Sequence, residues 1–283
     1  MLDELITNLD AASAVPRHLA ALVEIGRLRG EASADFTARQ GLQTHPVLRH
    51  PKHKALAPHG PMLVTHTGGA RALTEELSDC NSDTVSAWII GTLPAGRMAE
   101  YLSNFTVARA SHVDSYLLRF YAPEILPTLH ELAPRNWVHL LMKPVVRWCY
   151  PQASPQGEGW QSFAGGGEVP GEEYFHGLRY LRLADSPELM TALAGDPQPY
   201  RLVNALQNEA PELFDSDCYG VRLAQVEDLL AEARGHGLQR EEDLLACVWC
   251  LLAEPAIRQE QAWQQALLCC ARDGTPLTES YLQ

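Results

Sequence analysis

An arginine in the middle of an apolar run is the most distinctive chemical feature of this sequence. The run is Tyr116–Pro123, in which Arg119 stands between Leu118 and Phe120. Its bulky and aromatic residues predict a β-strand covered on both faces and ended by the proline. Because its charge is costly to bury alone, such an arginine lies at an edge or a strand end, pairs with a carboxylate, or anchors a partner. We therefore expect Arg119, Phe120 and Tyr121 to form a structural or partner-binding anchor, and loss of Arg119 to cost about 3–5 kcal/mol.

Histidines that could bind a metal are concentrated before residue 67. Metal ligation needs three or four ligands that converge from a rigid frame. Here the histidines alternate with prolines and lysines, mostly in Gln43–Gly60, which indicates a solvated loop and no metal site. The turn His66–Ala70 lacks the lysine of a phosphate-binding loop and is interpreted as a tight turn. The five histidines that cluster between residues 45 and 66 are His45, His50, His53, His59 and His66.

The other reactive side chains also favour structural roles. Cys247 and Cys250 have the spacing of a redox pair, but they fall inside an apolar helical run, whereas redox pairs lie at exposed helix N-termini. The sequence contains neither a Gly-x-Ser-x-Gly nor a Gly-x-Gly-x-x-Gly motif. We therefore predict that the protein is not an enzyme and has no catalytic residue, cofactor or metal. The alternative is an enzyme whose site is assembled from dispersed residues such as Arg119, His66 and His112.

Negative charge is concentrated toward the C-terminus. Residues 184–283 hold six Lys/Arg and seventeen Asp/Glu, which gives −11 of the total of −13. This argues against nucleic acid as a partner, because phosphate binding needs clustered cations. It permits a basic protein partner, and Glu241, Glu242 and Asp243 are the candidate contacts on a solvated helix turn. The alternative is an acidic surface that only aids solubility.

The composition also indicates where the protein works. No run of about 18 apolar residues is present, so no membrane insertion is expected. The acidic start Met1–Leu5 does not have the pattern of a secretory signal. The seven cysteines are odd in number, which fits a reducing compartment. A cytoplasmic location is therefore predicted.

Alternating apolar runs and helical patterns predict the architecture. The fold class is α/β, with a mixed sheet and helices on both faces in an N-terminal lobe, followed by an all-α C-terminal lobe. The α/β lobe covers residues 1–150, with a hairpin around Ser111–Asp114. Glycines and prolines predict a flexible linker loop over 151–177. The helical lobe covers residues 178–283. Its helix Glu241–Ala253 is apolar all round from Leu244 to Ala253 and is therefore predicted to be central and buried.

The Arg119 stretch resembles a known signature. It is similar to the arginine-phenylalanine-tyrosine-aspartate-proline motif of the type VI secretion effector-chaperone (adaptor) family, with Ala122 in place of the aspartate. That family has a trailing strand that reaches a tryptophan, matched by Pro144–Tyr150. Weaker matches are Ala57–Val64 and Ala233–Asp243, in the family's order along the chain.

The resemblance implies a function without catalysis. Such proteins hold a toxic effector in the cytoplasm and help load it onto the valine-glycine-repeat spike of the secretion machine. The implied partners are therefore a secreted effector protein and the spike protein. An immunity-type protein that binds a toxin would share the acidic surface and remains an alternative, as does the enzyme with dispersed residues.

Overall fold

The chain folds into two units in the computed structural model, which describes residues 9, 15–28, 33–78, 84–111, 114–216 and 218–281. The sheet unit consists of Met1–Gln152 and Trp160–Gly195. The helical unit consists of Ala153–Gly159 and Asp196–Gln283. The predicted fold class, an α/β part followed by a helical C-terminal part, is confirmed.

A six-stranded sheet with the order β2-β3-β1-β4-β7-β8 forms the frame of the sheet unit. The central strand β1 has apolar residues on both faces, so it is buried from Leu19 onward. A mixed sheet was expected, but the pairs β1–β3, β1–β4, β2–β3 and β4–β7 are all antiparallel. The strands are β1 His18–Glu24, β2 Leu42–Pro46, β3 Pro61–His66, β4 Val85–Gly91, β7 Val145–Ser154 and β8 Gly157–Ala164.

Both faces of this sheet are covered, as the sequence predicts. On one face, Leu22 and Leu63 lie in a core with Tyr101 and Trp137. The opposite face contributes residues such as Trp88 to a second core. The helices of the sheet unit are α1 Ser33–Thr37, α2 Gly69–Leu77, α3 Ala95–Ser103, α4 Leu126–Leu132, α5 Arg135–Met142 and α6 Pro187–Ala194.

A second sheet of three short strands carries the predicted hairpin. The strands β5 Val107–Arg109 and β6 Ser115–Leu117 pair in antiparallel fashion, which confirms the hairpin. The strand β9 Leu181–Arg182 pairs with β5 in parallel. The strand predicted to run through Tyr121 ends at Leu117, so Arg119 lies just beyond it and not within a covered strand.

The stretch 151–177, predicted to be a flexible linker, is ordered by strands and specific hydrogen bonds. Strands β7 and β8 occupy most of 145–164. The amides of Gly165, Gly166 and Gly167 then donate to the carbonyls of Val146 at 3.2 Å, Met142 at 3.0 Å and Val145 at 2.8 Å. A Cβ at Gly165 would stand 2.3 Å from a backbone oxygen, so this glycine permits close packing instead of mobility.

The unit boundaries also differ from the predicted limits at 150 and 178. The sheet unit continues to Gly195, and Ala153–Gly159 at the end of the β7–β8 hairpin belongs to the helical unit. A further difference is the predicted loop Gln43–Gly60, where β2 and a 3-10 helix at Pro51–His59 are found. Polar residues and one histidine in β2 concealed this edge strand from a hydrophobic pattern.

The helical unit packs its own apolar core. Trp263, Val226, Leu230 and Cys247 are among its fully or nearly fully buried residues. Its helices are α7 Pro197–Glu209, α8 Tyr219–Gly235, α9 Glu241–Ala253, α10 Gln261–Asp273 and α11 Leu277–Ser280.

Helix α9 is not buried all round as predicted, because Leu245 and Trp249 on it are exposed. Within the part of the chain that the structure describes, no helix has the length and apolarity needed to cross a membrane.

Candidate functional site

Arg119 forms an ion pair with the last residue of the central strand. Its Nη2 donates to both carboxylate oxygens of Glu24, at 3.0 and 3.1 Å. The backbone of Glu24 is fixed by pairing with Pro61 and by donation to the carbonyl of Thr84 at 2.9 Å. Arg119 is placed by the amide of Leu118, which donates to the carbonyl of Thr106 at 2.8 Å. The pair therefore joins the segment after the β5–β6 hairpin to the end of β1.

Two more charged residues extend this pair into a chain of alternating charge. Arg27 Nε lies 2.7 Å from Glu24 Oε2, and Arg27 Nη2 lies 3.4 Å from Glu124 Oε1. We call Glu24, Arg27, Arg119 and Glu124 the Arg119 cluster. Two cations and two anions balance, so the cluster has no net charge that would require an external counter-ion.

The pKa values in this cluster favour permanent charge on Arg119. Burial acts to lower the pKa of Arg119, but the Glu24 carboxylate attracts and hydrogen-bonds the guanidinium and raises its pKa above the usual value. Burial, reinforced by the Glu24 carboxylate, raises the pKa of Tyr121 to about 12. Neither group gains or loses a proton near neutral pH, so neither is suited to general acid or base catalysis there.

The aromatic residues of the signature point into the core. Phe120 is fully buried and packs edge-on against Trp148, with ring centroids 6.2 Å apart, and against Tyr121 at 5.5 Å. Ala122, which stands where the resembling family has aspartate, is also fully buried. Among residues 118–122 only Arg119 is exposed, with 43% of its side chain accessible. Phe120 and Tyr121 are therefore placed as structural anchors, and only Arg119 can meet a partner directly.

Arg119 does not share a site with His66. Glu24, which holds Arg119, pairs with Pro61 at the start of β3, whereas His66 ends that strand. Pro61 and His66 are five residue steps apart along the strand, or about 16 Å. His66 Nδ1 accepts the Gly68 amide at 2.9 Å, which is the tight turn predicted there. His112, the third residue named for a dispersed enzyme site, lies outside the described residues. The other two, Arg119 and His66, lie apart.

The histidines before residue 67 do not all lie in a loop. His45 is in strand β2 and His66 in β3, and both line a cavity of about 580 Å³ with His18 and Arg17. Burial, together with the charge of Arg49, lowers the pKa of His45. In the described ranges, no group of three or more His, Cys, Asp or Glu side chains is arranged to hold a metal ion.

The acidic turn at the start of α9 separates into two kinds of residue. Glu241 and Glu242 are exposed, and Glu241 lies 4.0 Å from the equally exposed Arg201. Asp243 is buried instead, with only 4% of its side chain accessible. The solvated face predicted for all three residues is therefore correct for the first two and wrong for Asp243.

Asp243 fastens the end of the chain to α9. Its Oδ1 accepts the Leu277 amide at 2.9 Å, and its Oδ2 accepts Arg240 Nε at 2.6 Å. Burial acts to raise the pKa of Asp243, but the hydrogen bonds from Arg240 and Leu277 outweigh that and hold the pKa below its usual range. Asp243 thus stabilises the helical unit and is not available as a partner contact.

Cys247 and Cys250 pack in the core of the helical unit, as the sequence predicts. Burial raises the pKa of Cys247 to about 12 and also raises the pKa of Cys250. Both therefore remain thiols at neutral pH, and a thiol is a poor nucleophile.

Sequence reasoning missed Glu24 and Arg27 as members of the Arg119 cluster. A signal was available, because Glu24 is the one acid at the end of an otherwise apolar strand, and Arg27 follows it by three residues. A carboxylate that ends a buried strand needs a cation, and a covered arginine needs a carboxylate.

Comparison with known proteins gives one result that bears on this site. Neither the curated proteins nor the solved structures yielded a match. A family model does match residues 21–137, and its description is a domain of unknown function, DUF4123. The matched range contains all four residues of the Arg119 cluster together with Phe120, Tyr121 and Pro123, so the segment of this chain that is similar to DUF4123 includes the candidate site.

Proposed function

We propose that this protein is a cytoplasmic, non-catalytic chaperone or adaptor of a type VI secretion system. It binds a toxic effector protein and helps to load it onto the valine-glycine-repeat spike. The observation that carries this proposal is the DUF4123 match over residues 21–137, within which the Arg119-Phe120-Tyr121-x-Pro123 signature falls. DUF4123 is a family commonly associated with type VI secretion.

The geometry of the signature supports a scaffold role. Phe120 and Tyr121 fill the core, while Arg119 ties the chain after β6 to Glu24 at the end of β1. This arrangement fixes the β5–β6 hairpin and the start of α4 relative to the main sheet. A chaperone that shields a segment of another protein needs surfaces held in a fixed geometry, because pre-ordering reduces the entropy lost on binding.

The chemistry of the site is consistent with binding and does not favour catalysis. The guanidinium of Arg119 is already engaged by Glu24, and the pKa values of Arg119 and Tyr121 lie far from neutrality. A group that must exchange a proton during turnover needs a pKa close to the working pH. Binding of a folded or partly folded protein needs no such group.

Deletion of the gene in the bacterium that carries it tests the proposal. We expect one effector to disappear from the medium while secretion of the tube protein and of other effectors continues, and a plasmid copy of the gene should restore it. The same effector should co-purify with an affinity-tagged chain from the cell extract. Mass spectrometry of the medium and of the purified complex measures both results.

Two other outcomes would contradict the chaperone role. If every effector is secreted normally and no effector co-purifies, the proposal is wrong. If secretion continues but the deletion strain is killed by its own siblings, the protein is an immunity protein. Competition between deletion and parent strains, with a secretion-deficient parent as the control, distinguishes these cases.

A further inference from the structure

The exposed side of helix α9 presents an apolar stripe to solvent. Leu245 and Trp249 are each 37% exposed, and Leu252 is half-buried. At 100° per residue these positions fall within about 60° of one another on the helix surface. Val248 and Ala246, which flank the stripe on either side, are buried in the core of the helical unit. Leu245 and Trp249 are therefore left uncovered by their own unit, while Leu252 is partly covered by its core.

Negative charge borders the N-terminal end of this stripe. Glu241 and Glu242 are exposed and lie on either side of Leu245, about 40° and 60° away around the helix. The helical unit as a whole has sixteen Asp/Glu and six Arg, which gives a net charge of −10. Among the described residues of the unit, contacts with a carboxylate are made by Arg201, Arg234, Arg240, Arg258 and Arg272. The surplus negative charge therefore has little internal compensation.

We propose that this face, consisting of Glu241, Glu242, Leu245, Trp249 and Leu252, binds a basic amphipathic helix of a partner protein. Apolar side chains of the partner, repeating every three to four residues, would cover the leucines and Trp249. Its lysines or arginines would lie near the two glutamates, and one of them can stack on the indole of Trp249. The charge of the bound helix must be positive, because a net −10 opposes an acidic one.

The same charge disfavours other occupants of the face. A membrane with anionic lipids attracts basic segments and repels acidic ones. A second copy of this chain would bring Glu241 and Glu242 of both copies close together, and like charges across an interface cost several kcal/mol. The binding follows from the chemistry of the face and does not rest on the secretion role, so it can be tested without the effector or the spike.

A synthetic peptide tests the proposal directly. The probe is a fluorescently labelled 14-residue peptide of leucine and lysine, with the leucines at helical spacing. Fluorescence anisotropy gives its Kd for the full chain. We expect Trp249→Ala to weaken binding about tenfold, since aromatic side chains dominate such interfaces. The double substitution Glu241→Gln/Glu242→Gln should weaken binding about threefold and reduce its dependence on salt.

Matched controls separate this face from the acidic surface in general. Leu268 on α10 is 63% exposed, so Leu268→Ala removes an even more accessible apolar residue outside the face and should leave Kd unchanged. A peptide with serine in place of leucine keeps the charge and should bind at least tenfold more weakly. All the substituted residues are on the surface, and a thermal melt of each variant verifies folding.

Three results would overturn the proposal. The first is no measurable binding of the leucine-lysine peptide by the full chain. The second is equal binding of the serine peptide, or equal loss in Leu268→Ala and Trp249→Ala, which would mean that charge alone attracts the peptide. The third is a dimer in sedimentation analysis that is abolished by Trp249→Asp, which would assign the face to a second copy of the chain.

Discussion

Replacement of Arg119 by alanine tests whether the Arg119 cluster holds the sheet unit together. The substitution removes both hydrogen bonds from Arg119 Nη2 to Glu24, at 3.0 and 3.1 Å. The Glu24 carboxylate is left with only 9% of its side chain accessible to water. It keeps Arg27 as a partner, because Nε of Arg27 remains 2.7 Å away.

The expected loss is smaller than the sequence suggested. Hydrogen bonds to charged groups contribute about 1.5–3 kcal/mol in buried surroundings. Water screens this pair because 43% of the Arg119 side chain is exposed. Since Arg27 also continues to neutralise Glu24, we expect a loss of about 1–2 kcal/mol in the free energy of unfolding, and not the 3–5 kcal/mol of a fully buried pair. For a chain of this size the melting temperature should fall by about 3–6 °C.

Urea unfolding followed by circular dichroism measures this loss. The matched control is Arg71→Ala, since Arg71 pairs with Glu75 on the surface of α2 with both side chains mostly exposed, and it should cost less than about 0.5 kcal/mol. In a double-mutant cycle, Arg119→Ala should cost much less when Glu24 is already glutamine. If Arg119→Ala behaves like Arg71→Ala, or if the cycle shows no coupling, the structural role of the cluster is refuted.

Four further results are expected. Asp243→Ala should destabilise the helical unit by about 2 kcal/mol because it leaves a buried amide without an acceptor, while Glu242→Ala should change little. Because the pKa of Asp243 is lower in the folded state than in the unfolded state, its stabilisation is present above about pH 4 and lost below it; urea unfolding of Asp243→Asn should show a weaker acid dependence, and an unchanged one would contradict the ion pair. Iodoacetamide at pH 8 should modify the partly exposed Cys269 and spare Cys247 until the chain unfolds, as mass spectrometry can show. In hydrogen exchange the amides of Gly165–Glu168 should be protected, and rapid exchange there would restore the flexible linker predicted from the sequence.

The sequence predicts those strands whose own residues form an apolar run. Strands β1, β3 and β4 are apolar on both faces, so their positions are visible as short hydrophobic runs. Strand β8 was missed because most of its residues are exposed, the half-buried ones occur only at every third position, and it begins with glycine. Mobile loops have the same composition. The ordered strand differs from such a loop only in the backbone carbonyls that accept hydrogen bonds from the glycine amides after β8.

The site is less predictable because its contacts join distant parts of the chain. The position of Arg119 indicates that it needs a carboxylate, yet its partner Glu24 lies 95 residues away. Asp243 is a similar case, since its neighbours Glu241 and Glu242 suggest a solvated turn. Its burial follows from the amide of Leu277, which is 34 residues further along. The type of a residue indicates that its charge needs a partner, but the tertiary fold determines which residue is that partner.

The hairpin end that belongs to the helical unit has a consequence for truncation experiments. Gln225 Nε2 donates to the carbonyl of Pro155 at 3.4 Å, and Cys218 Sγ lies 2.6 Å from Glu158. A fragment that begins at Asp196 would lack these acceptors, and one that ends at Gly195 would carry them without their donors. No single cut of the polypeptide releases either half intact. Loss of binding in such a fragment would therefore report damaged folding, so binding regions in this chain are better mapped by point substitutions than by deletion.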